Sequence, residues 1–227
     1  MLREIHVDES VRALRPDFAV LAIVAEGLAN GPTDDAARAL LRQAAAAPGG
    51  EAHVEAWRAA YRAFGAKPQR TRPSVDALRR RAAAGLPEIS RVVDAYNAVS
   101  VAHGLPVGGE DLDRYIGPPR LVRAAGDEDF PTLRDGAEHT DHPEIGEVVW
   151  RDDAGVTCRR WNWRQSTRTH ITEATTRALF LLERLEPMTL AELERAGDAL
   201  VAALDQVSPG ARVAARLIGP ASGGAPE

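Results

Sequence analysis

The stretch Gly85-Leu-Pro-Glu-Ile-Ser-Arg-Val-Val-Asp-Ala-Tyr-Asn97 decides how the rest of the chain is read. Ile89, Val92, Val93, Tyr96 and Val99 recur at three- and four-residue steps, which predicts an amphipathic helix over residues 88–102. Gly104-Leu-Pro106 stops it. Upstream, residues 74–84 read as a helix introduced by Arg72-Pro73, because proline near a helix start gives up an amide that has no intrahelical partner. Residues 51–64 read as another, with Val54, Trp57, Tyr61 and Phe64 on one face and Gly65 as C-cap. An Ala-rich helix over 34–47 precedes it, closed by Pro48-Gly49-Gly50. Before these come two expected strands, 5–11 and 18–28, the second ending at the turn signal Asn30-Gly-Pro32.

Downstream the pattern changes. Residues 120–124 and 146–151 read as short strands. Asp152-Asp-Ala-Gly155 reads as a turn, and 156–162 as the returning hairpin strand. The contiguous Leu179-Phe-Leu-Leu182 predicts a strand over 178–185, with a helix over 172–185 as the competing reading. Residues 189–207 read as a helix with Thr189 as N-cap, and 211–218 as a closing strand. The Gly/Pro-rich tail, 219–227, is expected to be loose. Helices and strands interleave without regular βαβ spacing. The expectation is therefore an α+β fold, a central mixed β-sheet flanked by helices, in a single domain over residues 1–218.

Composition narrows the function classes. The 227 residues are 44% hydrophobic and 27% charged, an ordinary globular balance able to bury a core. A single cysteine, Cys158, excludes a disulfide scaffold and a Cys-rich zinc site. The net charge of −5 argues against a generally polybasic protein but leaves room for a local basic face. The N-terminus lacks an apolar signal core, and the longest apolar run, Phe18 to Ala25, falls far short of the ~20 residues that span a bilayer. The expected location is the cytoplasm.

Several segments carry candidate chemistry. Residues 62–81 hold seven cations, among them Lys67, Arg70, Arg72, Arg79 and Arg80, against the single acid Asp76. Such a segment is a plausible RNA phosphate track, and equally a solvated helix end with internal salt bridges. Cys158-Arg-Arg-Trp-Asn-Trp-Arg164, read as a strand, puts Trp161 and Trp163 on one side and Arg160, Asn162 and Arg164 on the other. That offers a ring platform and a row of donors, or two core tryptophans and a solvated basic face. Gly108-Gly-Glu-Asp-Leu-Asp113 reads as a flexible loop too sparse in oxygen ligands for a cation, and His139-Thr-Asp-His142 as exposed loop residues without a third ligand. No metal and no cofactor are expected. Ser166 and His170 are too close in sequence to imply a triad, and no phosphate-cradling Gly-rich motif supports an ATP-driven ligase.

Taken together, Pro73-Ser74, Leu78-Arg-Arg-Arg81, the 85–97 stretch, Gly104-Leu-Pro106, Asp111-Leu-Asp113 and Leu121-Val-Arg123-Ala-Ala-Gly-Asp-Glu128 closely resemble the B3/B4 domain of the phenylalanyl-tRNA synthetase β subunit. The resemblance runs from about residue 73 to 183 and looks like a free-standing version. It implies an α+β fold and an editing hydrolase acting in trans on mischarged tRNA, or a relative that binds tRNA or an amino acid without catalysis. By resemblance Asn97 matches the pocket asparagine, Tyr96 stands where the family often has threonine, and Glu183 matches the acid that senses the substrate hydroxyl. The family's pocket histidine falls on Gly108 and is absent. The small-residue pocket wall is replaced by Trp161, Asn162, Trp163 and Arg164. On this basis Asn97 and the backbone of Gly108 and Gly109 are expected to hold ester and water, while Glu183 and Arg164 read the amino acid. The expected partner is tRNA or aminoacyl-tRNA, with no DNA and no membrane. A third reading is a protein partner met through the Ala-rich N-terminal helices.

Overall fold

The computed structural model describes residues 1–67 and 70–220. In chain order it contains β1 (His6–Val7), α1 (Glu9–Leu14), β2 (Ala19–Glu26), α2 (Asp35–Ala46), α3 (Glu51–Ala63), α4 (Ser74–Ala82), α5 (Arg91–His103), β3 (Val107–Asp111) and β4 (Arg120–Arg123). There follow β5 (Phe130–Arg134), β6 (Ala137–Asp141), β7 (Val148–Arg151), β8 (Val156–Arg159), β9 (Arg164–Gln165), β10 (Arg177–Arg184), α6 (Leu190–Val207) and β11 (Arg212–Ile218). The fold is α+β. An antiparallel sheet of order β11-β2-β10-β3 forms the middle layer, and a mixed sheet of order β1-β4-β7-β8-β9 lies to one side of it. Residues 219 and 220 of the expected loose tail are described, and 221–227 lie outside the described residues.

The middle layer explains why two strands read as unbroken apolar runs. On β2, Leu21, Ile23 and Ala25 pack with Leu193, Ala196 and Leu200 of α6, while Val20, Ala22 and Val24 pack with Trp57, Leu121 and Trp150 on the other side. β10 is sandwiched likewise and pairs with both β2 and β3, which decides the strand reading over the helical one. A strand buried on both faces has no use for alternation. α5 is buried nearly all round, from Val92 to Val101, because α2, α6 and β3 surround it.

Four expectations need correction. The strand over 5–11 shrinks to β1, because the Asp8 carboxylate accepts the Ser10 amide at 2.9 Å and starts α1. The helix over 88–102 begins only at Arg91. Ser90 is extended, Asp94 accepts the Ile89 amide at 2.9 Å, and Ile89 is exposed rather than part of the buried stripe. The Gly108–Asp113 segment is not a flexible loop but β3 and a short 3-10 turn, held by Thr175 Oγ1 donating to Asp111 at 2.7 Å. The hairpin strand over 156–162 ends at Arg159, for a reason that belongs to the site below.

The end of α5 docks the start of α3. Gly104 caps α5 in the left-handed region, φ 68°, with the Gly49–Gly50 turn against it. His53 of α3 lies beneath, its Nδ1 2.8 Å from the Gly104 carbonyl, and the Leu185 amide donates to Nε2 at 3.0 Å. A Cβ at Gly104 would overlap the Gly49 carbonyl as well as strain the backbone. Gly104→Ala should therefore cost about 2 kcal/mol or more, read as a lower urea midpoint; an unchanged midpoint would contradict this packing.

Candidate functional site

The site forms where the β3 edge of the middle sheet meets α4, α5 and the five-stranded sheet. Its shape depends on an abrupt reversal after β8. Arg160 and Trp161 both take left-handed backbone, φ 48° and 68°, a conformation unfavourable for residues with a Cβ. Glu147 fixes the reversal. Its carboxylate accepts Arg159 Nε at 2.9 Å, Arg159 Nη2 at 2.7 Å and the Arg160 amide at 3.0 Å. The Trp161 amide donates to the Val148 carbonyl at 2.6 Å.

The expected alternation of the tryptophans is therefore wrong. Trp161 turns inward, fully buried, with ring centres of Trp57 and Phe18 each at 5.2 Å. Trp163 stays half-buried, with the guanidiniums of Arg164 and Arg160 at 4.7 and 4.9 Å from its ring centre. The donor row splits as well: Asn162 is buried and Arg164 exposed.

Asn162 joins a buried hydrogen-bond chain. Tyr61 Oη donates to Asn162 Oδ1 at 2.9 Å, and Asn162 Nδ2 donates to Glu183 Oε2 at 2.7 Å. Trp150 Nε1 donates to Glu183 Oε1 at 2.7 Å. Alternation along β10 explains the acid's position: Leu179, Leu181 and Glu183 share the face toward the five-stranded sheet. Burial pushes the Glu183 carboxyl up to about 8, against the downward pull of Asn162 and Trp150. A second acid, Glu110 on β3, is also buried and accepts a hydrogen bond from Tyr115 Oη. Burial pushes it up to about 7, against its hydroxyl partners. Cys158 is a buried thiol, raised by burial and by both acids.

These groups wall a cavity of about 230 Å³. Of the residues expected at the site, Tyr96, Asn97, Gly108, Trp161, Asn162, Trp163, Arg164 and Glu183 line it. Gly109 does not. Its Cα faces the Tyr96 ring, and its carbonyl accepts from Gln165 Nε2 at 2.6 Å, so Gln165 reaches the wall instead. Asn97 is only 7% exposed, yet among the described residues its amide makes no hydrogen bond. The fully buried indole N–H of Trp161 likewise finds no acceptor there. Sequence reading missed Glu110, Trp150, Ser74 and Gln165 as wall residues. Read as a strand, the Gly108–Asp113 motif would have put Gly108 and Glu110 on one face. Trp150 and Gln165 carry no comparable signal.

Part of the basic segment is ion-paired within the fold. Asp76, buried on α4, faces Arg58 at 2.7 Å, Arg80 at 3.4 Å and Arg72 at 3.6 Å. Burial pushes its carboxyl up, but the Arg58 hydrogen bond and charge prevail and hold it below the usual range. Arg79 pairs with Glu51 at 2.7 Å. Lys67 and Arg70 are exposed and, among the described residues, form no ion pair. His139 lies exposed on β6 and His142 just beyond it. Among the described residues no group of three or more His, Cys, Asp or Glu side chains could hold a metal, and no helix is long and apolar enough to cross a membrane.

A family model described as "B3/4 domain" matches residues 56–199, more than half of the chain. The chain belongs to the B3/4 domain family. The match begins in α3 and ends in α6, so it takes in every wall of the cavity. An N-terminal fragment of the phenylalanyl-tRNA synthetase β-subunit from Pyrococcus horikoshii is similar at 18% identity and a TM-score of 0.48. The alignment covers 92% of this chain and 49% of that one, so this B3/4 protein spans about half the length of that structure. A search of curated proteins finds no match.

The raised acid on β3 has a measurable consequence. Glu110 holds its proton to about pH 7 in the fold, against 4.5 ordinarily. Between those values the folded chain binds the extra proton, so stability falls as pH rises. Glu110→Gln should gain on the parent across that window by up to about 3 kcal/mol, levelling off above it. Urea melts at several pH values check this; a pH-independent difference would contradict it.

Proposed function

We propose that this B3/4 protein is an aminoacyl-tRNA deacylase that acts in trans, hydrolysing a wrongly attached amino acid from tRNA. The supporting observation is the cavity with the unpaired Asn97 amide on its wall. At about 230 Å³ it lies below the ~300–1,000 Å³ of sites for drug-sized ligands, which suits a single aminoacyl group. An aminoacyl ester is already activated, so its hydrolysis needs a placed water, donors for the developing oxyanion and a selective side-chain pocket. Asn97 and the Gly108 backbone hold ester and water in this reading. Glu183 and Arg164 contact the amino acid, and Tyr96, Trp161, Asn162 and Trp163 shape its pocket. Lys67 and Arg70, with the outward parts of Arg72, Arg79 and Arg80, meet the tRNA phosphates. The work belongs in the cytoplasm, where tRNA is charged.

The alternative is a module that binds tRNA or an amino acid without catalysis. The bare Gly108 favours it, since no imidazole projects from that wall position.

A panel of tRNAs, each charged with a different amino acid, separates the two. Release from at least one is expected, and Asn97→Ala should slow it by roughly 10²–10³-fold, the usual loss for an oxyanion donor. Glu183→Ala should change which amino acid is released. No release from any charged tRNA would overturn the deacylase reading. Lys67→Glu with Arg70→Glu should weaken the electrophoretic shift of tRNA and flatten its salt dependence; an unchanged shift would remove that segment from the RNA face.

A further inference from the structure

Two carboxyl groups face one cavity, and among the described residues neither forms an ion pair, although the charge of Arg168 reaches Glu110. Glu183 is held by an indole N–H and an amide, and Glu110 by the Tyr115 hydroxyl. Both are at most 2% exposed. Burying an ionised acid without a countercharge is costly, so burial makes both acids hold their protons, and an opposite charge beside them would let them ionise. Here the lining offers a single cation, Arg164, which is exposed and lies over the Trp163 ring at the mouth. The nearby Arg168 is bound through Nη2 and Nη1 to Asp152, at 2.7 and 2.9 Å.

The wall also carries a polar group waiting for a partner. The Asn97 amide makes no hydrogen bond among the described residues although the residue is nine-tenths buried, and it is open to the cavity, whereas the unpaired Trp161 indole N–H is sealed away from it. Side chains as buried as Asn97 are nearly always hydrogen-bonded, so its unpaired amide on the cavity wall points to an occupant that pairs it.

We propose that the occupant carries a positive charge: the cavity takes an amino acid with a cationic side chain, an ammonium or guanidinium placed between Glu110 and Glu183. The rest of the wall fits this assignment. The apolar stem packs along Leu181, Val93 and the Trp161 ring, as long basic side chains do when only the head is charged. Glu183 keeps a free lone pair on each oxygen, since each accepts one hydrogen bond. The backbone end of the amino acid lies toward Asn97 and Arg164. A neutral or aromatic side chain of similar length gains no charge pairing from the two acids and binds more weakly for that reason. This deepens the proposed deacylase and rests on that reading only for the tRNA.

Binding to the whole chain tests the charge without tRNA. L-lysinamide and L-argininamide are compared with L-norleucinamide, which has a similar chain but no terminal charge, and with L-tyrosinamide. All four share the α-ammonium, so only the side chain differs. At least one cationic amide is expected to bind about tenfold to a hundredfold tighter than norleucinamide, the range for hydrogen bonds to charged groups. Glu183→Gln and Glu110→Gln should each remove most of that preference. Equal or tighter binding of norleucinamide or tyrosinamide to the unaltered chain overturns the inference, as does a cationic preference that survives both substitutions. The charged-tRNA panel keeps the two readings apart. A cationic preference with no release from any tRNA supports the subsite and sinks the deacylase. Release of an aromatic or aliphatic amino acid, with none of lysine or arginine, does the reverse.

Discussion

Glu183 places an almost fully buried carboxyl group between two sheets, at the wall of the cavity, and the surrounding elements are arranged around the need to hydrogen-bond it. Trp150 comes from β7, Asn162 from the turn after β8, and Tyr61 from α3 orients Asn162 by taking its carbonyl oxygen. Losing one donor leaves a buried polar group unmet, which costs more than the bond itself contributes. The chain of bonds thus ties the middle sheet, the outer sheet and α3 to one geometry, and the cavity is the space left beside it.

The reversal at Arg160 and Trp161 follows from the same constraint. Two consecutive left-handed residues are unfavourable, and they persist only where the surroundings over-determine them. Glu147 supplies three hydrogen bonds to the turn, and the Trp57, Phe18 and Phe64 rings pack around the buried indole. The result delivers Asn162 to Glu183 and leaves Trp163 and Arg164 at the mouth. Had the strand continued, the next residues would have alternated across the sheet and the cavity would lack this wall.

Electrostatics divides the molecule into paired and unpaired charge. Much of the basic stretch that stands out in the sequence is ion-paired within the fold, Arg72 and Arg80 with the buried Asp76, Arg79 with Glu51 and Arg62 with Glu55. The arginine content suits this use, since a planar guanidinium can serve several acceptors at once. Among the described residues the exposed cations Lys67, Arg70 and Arg164 form no ion pair, and the two cavity acids lack a cation and keep their protons instead, raised by burial to about 7 for Glu110 and about 8 for Glu183.

The sequence by itself determined the longer helices and the main strands, and left α1, β3, β5, β6 and β9 unread. Apolar periodicity placed α3, α5 and α6, an Ala-rich run placed α2, and unbroken apolar runs marked β2 as a strand and left β10 between strand and helix until the sheet pairing decided it. The motif around residues 85–97 led to the family. It also led to Asn97 and Glu183, which the fold brings to one wall. What only the tertiary structure decided is the character of that wall. Glu110 was hidden because a Gly-Gly-Glu-Asp segment reads locally as a loop, and only pairing with β10 makes it a strand. Trp161 and Asn162 were misplaced because a left-handed turn held by Glu147, thirteen residues upstream of Arg160, overrides strand alternation. Local pattern records what a residue prefers. Which acids end up buried together without a cation depends on contacts distant in sequence, and those exist only once the sheets have packed.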